Sequence, residues 1–302
     1  MSFVRYLSLP PMVCAVLLLT GALGSQSAST SRPAAAPLTA DGTAPSAVRL
    51  LDQALELLDP SRLTWLETKL WQKGIVQGLR YVTEGRYLAA PDHRLCLELT
   101  TRHGDAQVLH HVVSDGATWW QGMRVGDGEW TATRVDLKQV MRVLQAPQAP
   151  VQLREDFLRE HSFGGVVPLL RSLRQRMAWL RKETVRRNGR EFFKLTGTWR
   201  DEEVSGLAPA CEPWPDGLPR QCRLYLDVRN LWPHRVEWWG QDPPRPGDVL
   251  LVQMEFRDPV LNRPLSAQRC AREFSLPTTP HFVLDQTAEV IESLRPAASV
   301  GR

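Results

Sequence analysis

The sequence predicts an α+β fold that is mainly β, in which a large antiparallel sheet has one apolar face covered by short helices. Apolar and polar residues alternate with a period of two over roughly ten short segments, which is typical of half-buried strands. The turns between these segments are too short for crossover helices, so neighbouring strands must run antiparallel. Helical spacing is confined to an initial segment, an insert in mid-chain and a segment near the C-terminus.

The overall composition is that of a globular protein. The chain has 302 residues, a formal net charge of +4, 43% hydrophobic and 23% charged residues. These values exclude a collagen-like fibre and a coiled coil, and the positive charge is too diffuse to predict a nucleic-acid partner. Eleven Trp residues are many for a chain of this length, and their large rings are candidates for a binding surface.

The N-terminus has the pattern of a secretory signal. Arg5 precedes an apolar run over residues 12–23, and Ala22-Leu23-Gly24 forms a small-x-small site before Ser25. A retained membrane anchor is the alternative, but the run is short for a span of about 20 residues. We predict a signal peptide over 1–24, a flexible Ser/Thr/Ala/Pro-rich leader over 25–45, one domain over 46–295 and a disordered tail over 296–302. The protein is then periplasmic or secreted.

Cysteine usage follows from export. Removal of residues 1–24 takes away Arg5 and Cys14 and leaves a net charge of +3 and four Cys, an even number that favours disulfides in an oxidising compartment. Cys211 and Cys222 flank a short Pro-rich loop, and we predict them as the first pair. Cys96 and Cys270 are the second, less certain pair, and two buried thiols are the alternative for them.

The predicted elements follow one another closely along the chain. A helix begins after Ser46, a good N-cap, and ends at Asp59-Pro60. The strongest turn signals are Asp115-Gly116 and Asn188-Gly189. Strands are predicted over 65–72, 81–88, 94–100, 108–114, 117–124 and from 130; helices over 135–144, 153–161 and 166–177; further strands over 180–187, 191–199, 223–228, 234–240, 249–257 and 272–276; and a last amphipathic segment over 285–294.

The usual catalytic signatures are missing from the sequence. It contains no G-x-S-x-G elbow, no H-E-x-x-H, no P-loop and no C-x-x-C. Ser114-Asp115-Gly116 is explained by a hairpin turn. His110 and His111 are adjacent on one strand and point to opposite faces, so they cannot both bind one metal ion. We therefore predict a protein that is not an enzyme, with no catalytic residue, no metal and no cofactor.

The aromatic pairs give the candidate binding residues. In Trp119-Trp120 and in Trp238-Trp239, one ring must lie on each face of a strand. If the strands curve into an open barrel, one ring of each pair lines an apolar cavity; the alternative is that the rings only fill the core. The candidate ligand-binding residues are Trp71, Trp119, Trp120, Trp238 and Trp239.

A basic stretch runs from Arg171 to Arg190 and contains eight Arg or Lys residues with few acids between them. Such a stretch can meet an anionic membrane surface or an acidic envelope protein. The alternative is that it forms the solvated side of a helix and a hairpin.

Several segments together resemble the bacterial periplasmic lipoprotein carriers of the LolA type and their relatives. The resemblance covers most of the chain after residue 46, and its parts are moderately specific in order and spacing. Where the carriers have an Arg before the Pro of the first motif, this chain has Ala90. The matching segments are the helix and strand over 47–71, EGRYLAAP (84–91), VSDGATWW (113–120) and MEFRDPVLNRPLSAQRCAREFSLP (254–277).

The resemblance implies an unclosed antiparallel β-barrel, with short helices covering a concave apolar face that accepts acyl chains. The expected function is then that of an exported carrier or chaperone that binds lipid or lipoprotein acyl chains. The alternative is an envelope sensor or protein-interaction module that keeps the half-barrel and fills its cavity with its own side chains.

Overall fold

The computed structural model describes residues 46–59, 62–76, 78–146, 165–201, 203, 218–241, 247–264, 266–276 and 280–294. Twelve strands in these residues form one sheet, and the fold is mainly β as predicted. No helix in these ranges is long and apolar enough to cross a membrane. The predicted signal peptide, leader and tail, and the helix predicted over 153–161, lie outside the described residues.

The first half of the chain forms a helix and an antiparallel meander. Helix α1 begins after Ser46, whose Oγ accepts a hydrogen bond from the Arg49 N–H at 3.3 Å, as the N-cap signal predicted. Helix α1 covers Ala47–Leu57, and the strands are β1 Leu66–Val76, β2 Leu79–Ala90, β3 Arg94–His103, β4 Ala106–Asp115, β5 Thr118–Val125 and β6 Thr131–Asp136.

The second half adds two helices and a second antiparallel set. Asn188 and Gly189, with φ of 49° and 77°, make the tight turn of the predicted hairpin. The elements are α2 Leu137–Leu144, α3 Val166–Arg176, β7 Met177–Arg187, β8 Arg190–Trp199, β9 Pro219–Asp227, β10 Pro233–Gly240 and β11 Val249–Leu261.

The C-terminal elements differ from the prediction. Residues 272–276, predicted as a strand, contain no strand: Arg272 and Glu273 end helix α4, Ala267–Glu273, and the next three residues are irregular. The helix forms because Ser266 caps its N-terminus and Arg269 and Glu273 pair one turn apart. Strand β12, Phe282–Asp285, was not predicted; it is four residues long and pairs with β6 in parallel, the exception to the antiparallel rule. Helix α5, Thr287–Ser293, lies in the predicted amphipathic segment.

The sheet has two free ends. Its strand order is β12-β6-β5-β4-β3-β2-β1-β11-β10-β9-β8-β7, so the edge strands β12 and β7 do not pair and the sheet stays open. The centre of the sheet joins the two halves of the chain where β1 pairs with β11. The predicted fold class, an unclosed half-barrel with short helices, is confirmed.

The two faces of the sheet are covered differently. Helices α1, α2, α3 and α5 contribute to one large apolar core with the strands, and we call the sheet surface in that core the inner face. The opposite, outer face carries a small second cluster beneath the C-terminal end of α4: Trp65, Leu88, Cys96, Val113 and Phe274. A ligand that enters between sheet and helices therefore meets the inner face.

The start of α3 is held against the inner face by a glycine. A Cβ atom on Gly165 would overlap the hydroxyl of Tyr87, a buried inner-face residue of β2. We expect Gly165→Ala to lower the free energy of unfolding by about 1–3 kcal/mol, the usual cost of overpacking. Urea denaturation measures this change. Gly128→Ala, where the nearest atom is a single backbone oxygen at 3.0 Å, is the control; equal losses in both variants would contradict the packing argument.

Candidate ligand-binding face

The strand register assigns each residue of the meander to the inner or the outer face. Leu70 of β1 lies in the core, and its cross-strand partners continue through Gly85 on β2, Leu99 on β3, His110 on β4 and Met123 on β5. These residues and those two positions away along each strand share the inner face. From β1 to β5 this face carries no Asp, Glu, Lys or Arg, whereas the outer face alternates acids and bases.

The centre of the inner face is apolar and well packed. Leu50 and Leu51 of α1 and Leu169, Leu170 and Leu173 of α3 lie against it, all at most 4% exposed. The strands contribute the other side of this contact through buried Leu, Val, Met, Phe and Trp: Leu97, Val112, Leu195, Leu224, Val236, Trp238, Met254 and Phe256.

The predicted tryptophans divide between the two faces. Trp119 and Trp238 are 7% and 2% exposed and belong to the inner core. Trp71, Trp120 and Trp239 lie on the outer face, so they cannot line the same apolar surface. Alternation predicted that one ring of each pair would face away from the cavity, and these rings are Trp120 and Trp239; Trp71 is corrected to the outer face, while a ligand-binding role for Trp119 and Trp238 stays a prediction.

Each outer-face ring is covered by a cation instead. The guanidinium carbon of Arg257 lies 4.9 Å from the Trp71 ring centroid, and that of Arg223 lies 4.0 Å from the Trp239 ring. Arg134 stands 5.8 Å from Trp120 in the same manner. These cation–π contacts explain how the outer rings are accommodated without an apolar partner.

A row of polar residues crosses the inner face, and sequence reasoning missed it. Gln72 on β1 lies opposite Thr83 on β2, and Thr83 lies opposite Thr101 on β3. The two threonine hydroxyls hydrogen-bond at 2.9 Å, and the Gln72 amide donates to the Tyr81 hydroxyl at 2.6 Å. We call Gln72, Tyr81, Thr83, Thr101 and His110 the inner polar row; each is at most 5% exposed.

Two members of this row have polar atoms without partners. Oε1 of Gln72 and both ring nitrogens of His110 are buried and make no hydrogen bond within the described part of the chain. Burial, with the charge of His111 as a smaller cause, lowers the pKa of His110 from 6.5 to about 4, so the ring is neutral near pH 7. Burial likewise raises the pKa of Tyr81 to about 12, against the hydrogen bond from Gln72.

The histidine pair was correctly assigned to opposite faces. His110 faces inward, whereas the His111 ring packs against Trp130 on the outer side, with centroids 4.9 Å apart and ring planes tilted by 47°. Among the described residues no group of three His, Cys, Asp or Glu is arranged to hold a metal ion. Asp115 accepts hydrogen bonds from the N–H groups of Ala117 and Thr118 at 2.8 and 2.7 Å, which is the turn chemistry predicted for Ser114-Asp115-Gly116.

The cysteines do not pair as predicted. Cys222 is a free thiol on the inner face of β9, because β9 begins at Pro219 and carries this residue out of the loop and into the core. Burial and the nearby charge of Glu237 raise its pKa. Its predicted partner, Cys211, lies outside the described residues. Cys96 and Cys270 are also free and pack at one outer-face cluster; Cys96 is buried, as the buried-thiol alternative predicted, whereas Cys270 is only partly buried.

The basic stretch from Arg171 to Arg190 is partly used inside the fold. Arg174 holds α3 to α1 through Asp52 at 2.6 Å. Arg176 pairs with Glu203 at 2.8 Å, and Arg187 donates to the Tyr225 hydroxyl at 3.1 Å. Several of its cations therefore have structural partners, and the stretch spans a helix and an edge strand instead of forming one uniform patch.

No known protein family and no curated protein matches the chain. Solved structures similar to it include the lipoprotein LppX of Mycobacterium tuberculosis, at 18% identity over 73% of this chain and 99% of that one, with a TM-score of 0.38. LprF of Mycobacterium bovis matches at 11% identity over 76% and 98%, also with a TM-score of 0.38. An outer-membrane lipoprotein-sorting domain of Vibrio parahaemolyticus matches at 10% identity over 74% and 97%, with a TM-score of 0.26.

Two of these three structures, LppX and the sorting domain, have names that contain the word lipoprotein. At such TM-scores the matches carry no argument about what this chain binds. The open sheet and its helices define the class of protein: a half-barrel whose inner face, free of charged residues from β1 to β5, lies beneath short helices.

Proposed function

We propose that the protein is an exported, non-catalytic binding protein that holds acyl chains of a lipid or lipoprotein between the inner face and its helices. The observation that carries the proposal is the charge-free inner face of β1 to β5, covered by separate short helices. Each methylene moved from water onto such a surface contributes about 0.8 kcal/mol, so one acyl chain supplies ample binding energy.

Helices α1 and α3 must move away from the sheet for an acyl chain to bind. Helices α1 and α3 contact each other and are eleven residues each, so they are short elements that can shift as a pair. An acyl chain would replace the contacts that their leucines make with the sheet.

Tryptophan quenching tests this function. We expect 1-(9,10-dibromostearoyl)glycerol, an uncharged acyl lipid, to quench the fluorescence saturably, because its bromines would lie within contact of Trp119 and Trp238. Trp119→Phe and Trp238→Phe should each reduce the quenched amplitude, whereas Trp120→Phe and Trp239→Phe, on the outer face, should not. Absence of saturable quenching in the natural protein would reject acyl-chain binding.

The dense packing of the inner face favours a second candidate. Leu51, Leu170 and Leu195 are 0% exposed, as expected of a filled interior. The protein would then be an envelope sensor or interaction module that captures an acidic partner, or an anionic membrane surface, through the basic stretch. Binding to an acidic partner or to anionic vesicles should weaken in Arg171→Glu and in Arg181→Glu. Arg174→Glu is less suitable as a test, since it also breaks the ion pair with Asp52.

A further inference from the structure

The inner polar row places hydrogen-bonding groups where an apolar ligand alone would not need them. His110 is 2% exposed, and neither of its nitrogens has a partner in the described ranges. Leaving a buried polar group unsatisfied generally costs 1–3 kcal/mol, so such groups in a binding face point to a partner that arrives with the ligand.

The position of His110 on the inner face indicates how a bound lipid would be oriented. Toward one end of β4 the next inner-face residue is Val108, whose partner Val125 on β5 is exposed at the rim. Toward the other end the next is Val112, and then Ser114, whose partner on β5 is the buried Trp119. His110 therefore lies between the solvent-exposed rim and the apolar centre, the place where a lipid changes from head to chain.

The chemistry of the imidazole defines the group it can bind. Near pH 7 the neutral ring has one N–H donor and one acceptor nitrogen. A carboxylate or phosphate would offer acceptors only and would bring an unpaired charge onto the β1–β5 part of the inner face, which carries no Lys or Arg. A hydroxyl or amide both donates and accepts, and Oε1 of Gln72 is a further acceptor along the same row.

We propose that His110 anchors the uncharged head of the acyl ligand, a hydroxyl or amide group attached next to the acyl chain. The inference rests on the proposed function, because it places the chain of this ligand on the apolar centre of the inner face. It selects neutral acylglycerol-type or amide-linked lipids over fatty acids and phospholipid head groups.

Competition between two lipids of equal chain length tests the proposal. The full-length mature protein is loaded with a fluorescent acyl probe, which is displaced by 1-monolauroylglycerol or by methyl laurate. The first carries hydroxyls and the second only accepts hydrogen bonds. We expect the natural protein to prefer 1-monolauroylglycerol about five- to tenfold, and His110→Leu to bring the two affinities within about twofold while still binding both.

Matched variants separate the inference from the proposed function. His111→Leu alters the same strand on the outer face and should keep the preference. His110→Gln, which retains a donor and an acceptor, should restore part of it and also serves if His110→Leu does not fold. Equal binding of both lipids by the natural protein, or an unchanged preference in His110→Leu, overturns the role of His110 alone. Failure of both lipids and the probe to bind the natural protein overturns the proposed function as well.

Discussion

Arg86→Met is expected to lower the free energy of unfolding by about 2–3 kcal/mol, because it removes the bidentate partner of Glu98 and the shortest ion pair of Glu273 on the outer face. The Arg86 guanidinium donates to both oxygens of Glu98 at 2.6 and 2.8 Å and to Glu273 of α4 at 2.8 Å. The side chain of Glu273 is only 8% exposed, so water does not replace the lost cation, and the remaining contacts to Arg269 and Arg272 are longer, at 3.6 and 3.5 Å. Chemical denaturation at pH 7 measures the loss.

A second ion pair between β2 and β3 supplies a matched control. Arg102 of β3 contacts Glu84 of β2 at 3.3 Å on the same face, but both side chains are more than half exposed. Arg102→Met should therefore cost less than about 1 kcal/mol. Similar losses in the two variants would show that Arg86 does not act through the buried carboxylate of α4.

Acidification is expected to destabilise the fold through His110 by roughly 3 kcal/mol between pH 6.5 and pH 4. Burial holds the pKa of His110 at about 4 in the folded chain, against 6.5 when it is unfolded. As the pH falls below 6.5 the unfolded chain takes up this proton first, so stability decreases until the folded pKa is reached. Above pH 6.5 both states are neutral and the contribution is constant.

Urea denaturation at a series of pH values measures this contribution as the difference between the natural protein and His110→Leu. Carboxylates titrate over part of the same range, but they do so in both proteins and largely cancel in the comparison. The variant should lose less stability on acidification and be at least as stable at pH 7, because it removes an unsatisfied polar group. Parallel stability curves would contradict the buried, neutral state of His110.

Much of the fold could be predicted from local patterns. Period-two alternation located the strands of the meander, and turn residues such as Asn188-Gly189 fixed the hairpins. Strand β12 was not predicted, because four residues are too few to show a period of two. Its parallel pairing also depends on β6, about 150 residues earlier in the chain. The predicted strand begins at residue 223, four residues after β9 begins at Pro219, so the prediction leaves Cys222 in a loop.

The candidate site depended on information that single strands do not contain. Alternation shows that Trp71 and Leu70 face opposite ways, but which side becomes the inner face is decided when α1 and α3 dock. The inner polar row is assembled from four strands, so its members look like isolated polar residues along the sequence. His110 could have been noticed, since it alternates with Val108 and Val112 on an otherwise apolar stripe.

The junction of β1 with β11 also sets the order in which this protein can fold. Their paired residues, such as Leu70 and Phe256, are 186 positions apart in sequence, whereas every other antiparallel neighbour is much closer. The β1–β6 meander can collapse early, but its β1 edge stays unpaired until β11 arrives. If the chain is unfolded when it reaches its compartment, the β1 edge stays exposed until β11 pairs with it. The slowest folding step and the greatest risk of aggregation are then expected at the same place, the β1–β11 junction.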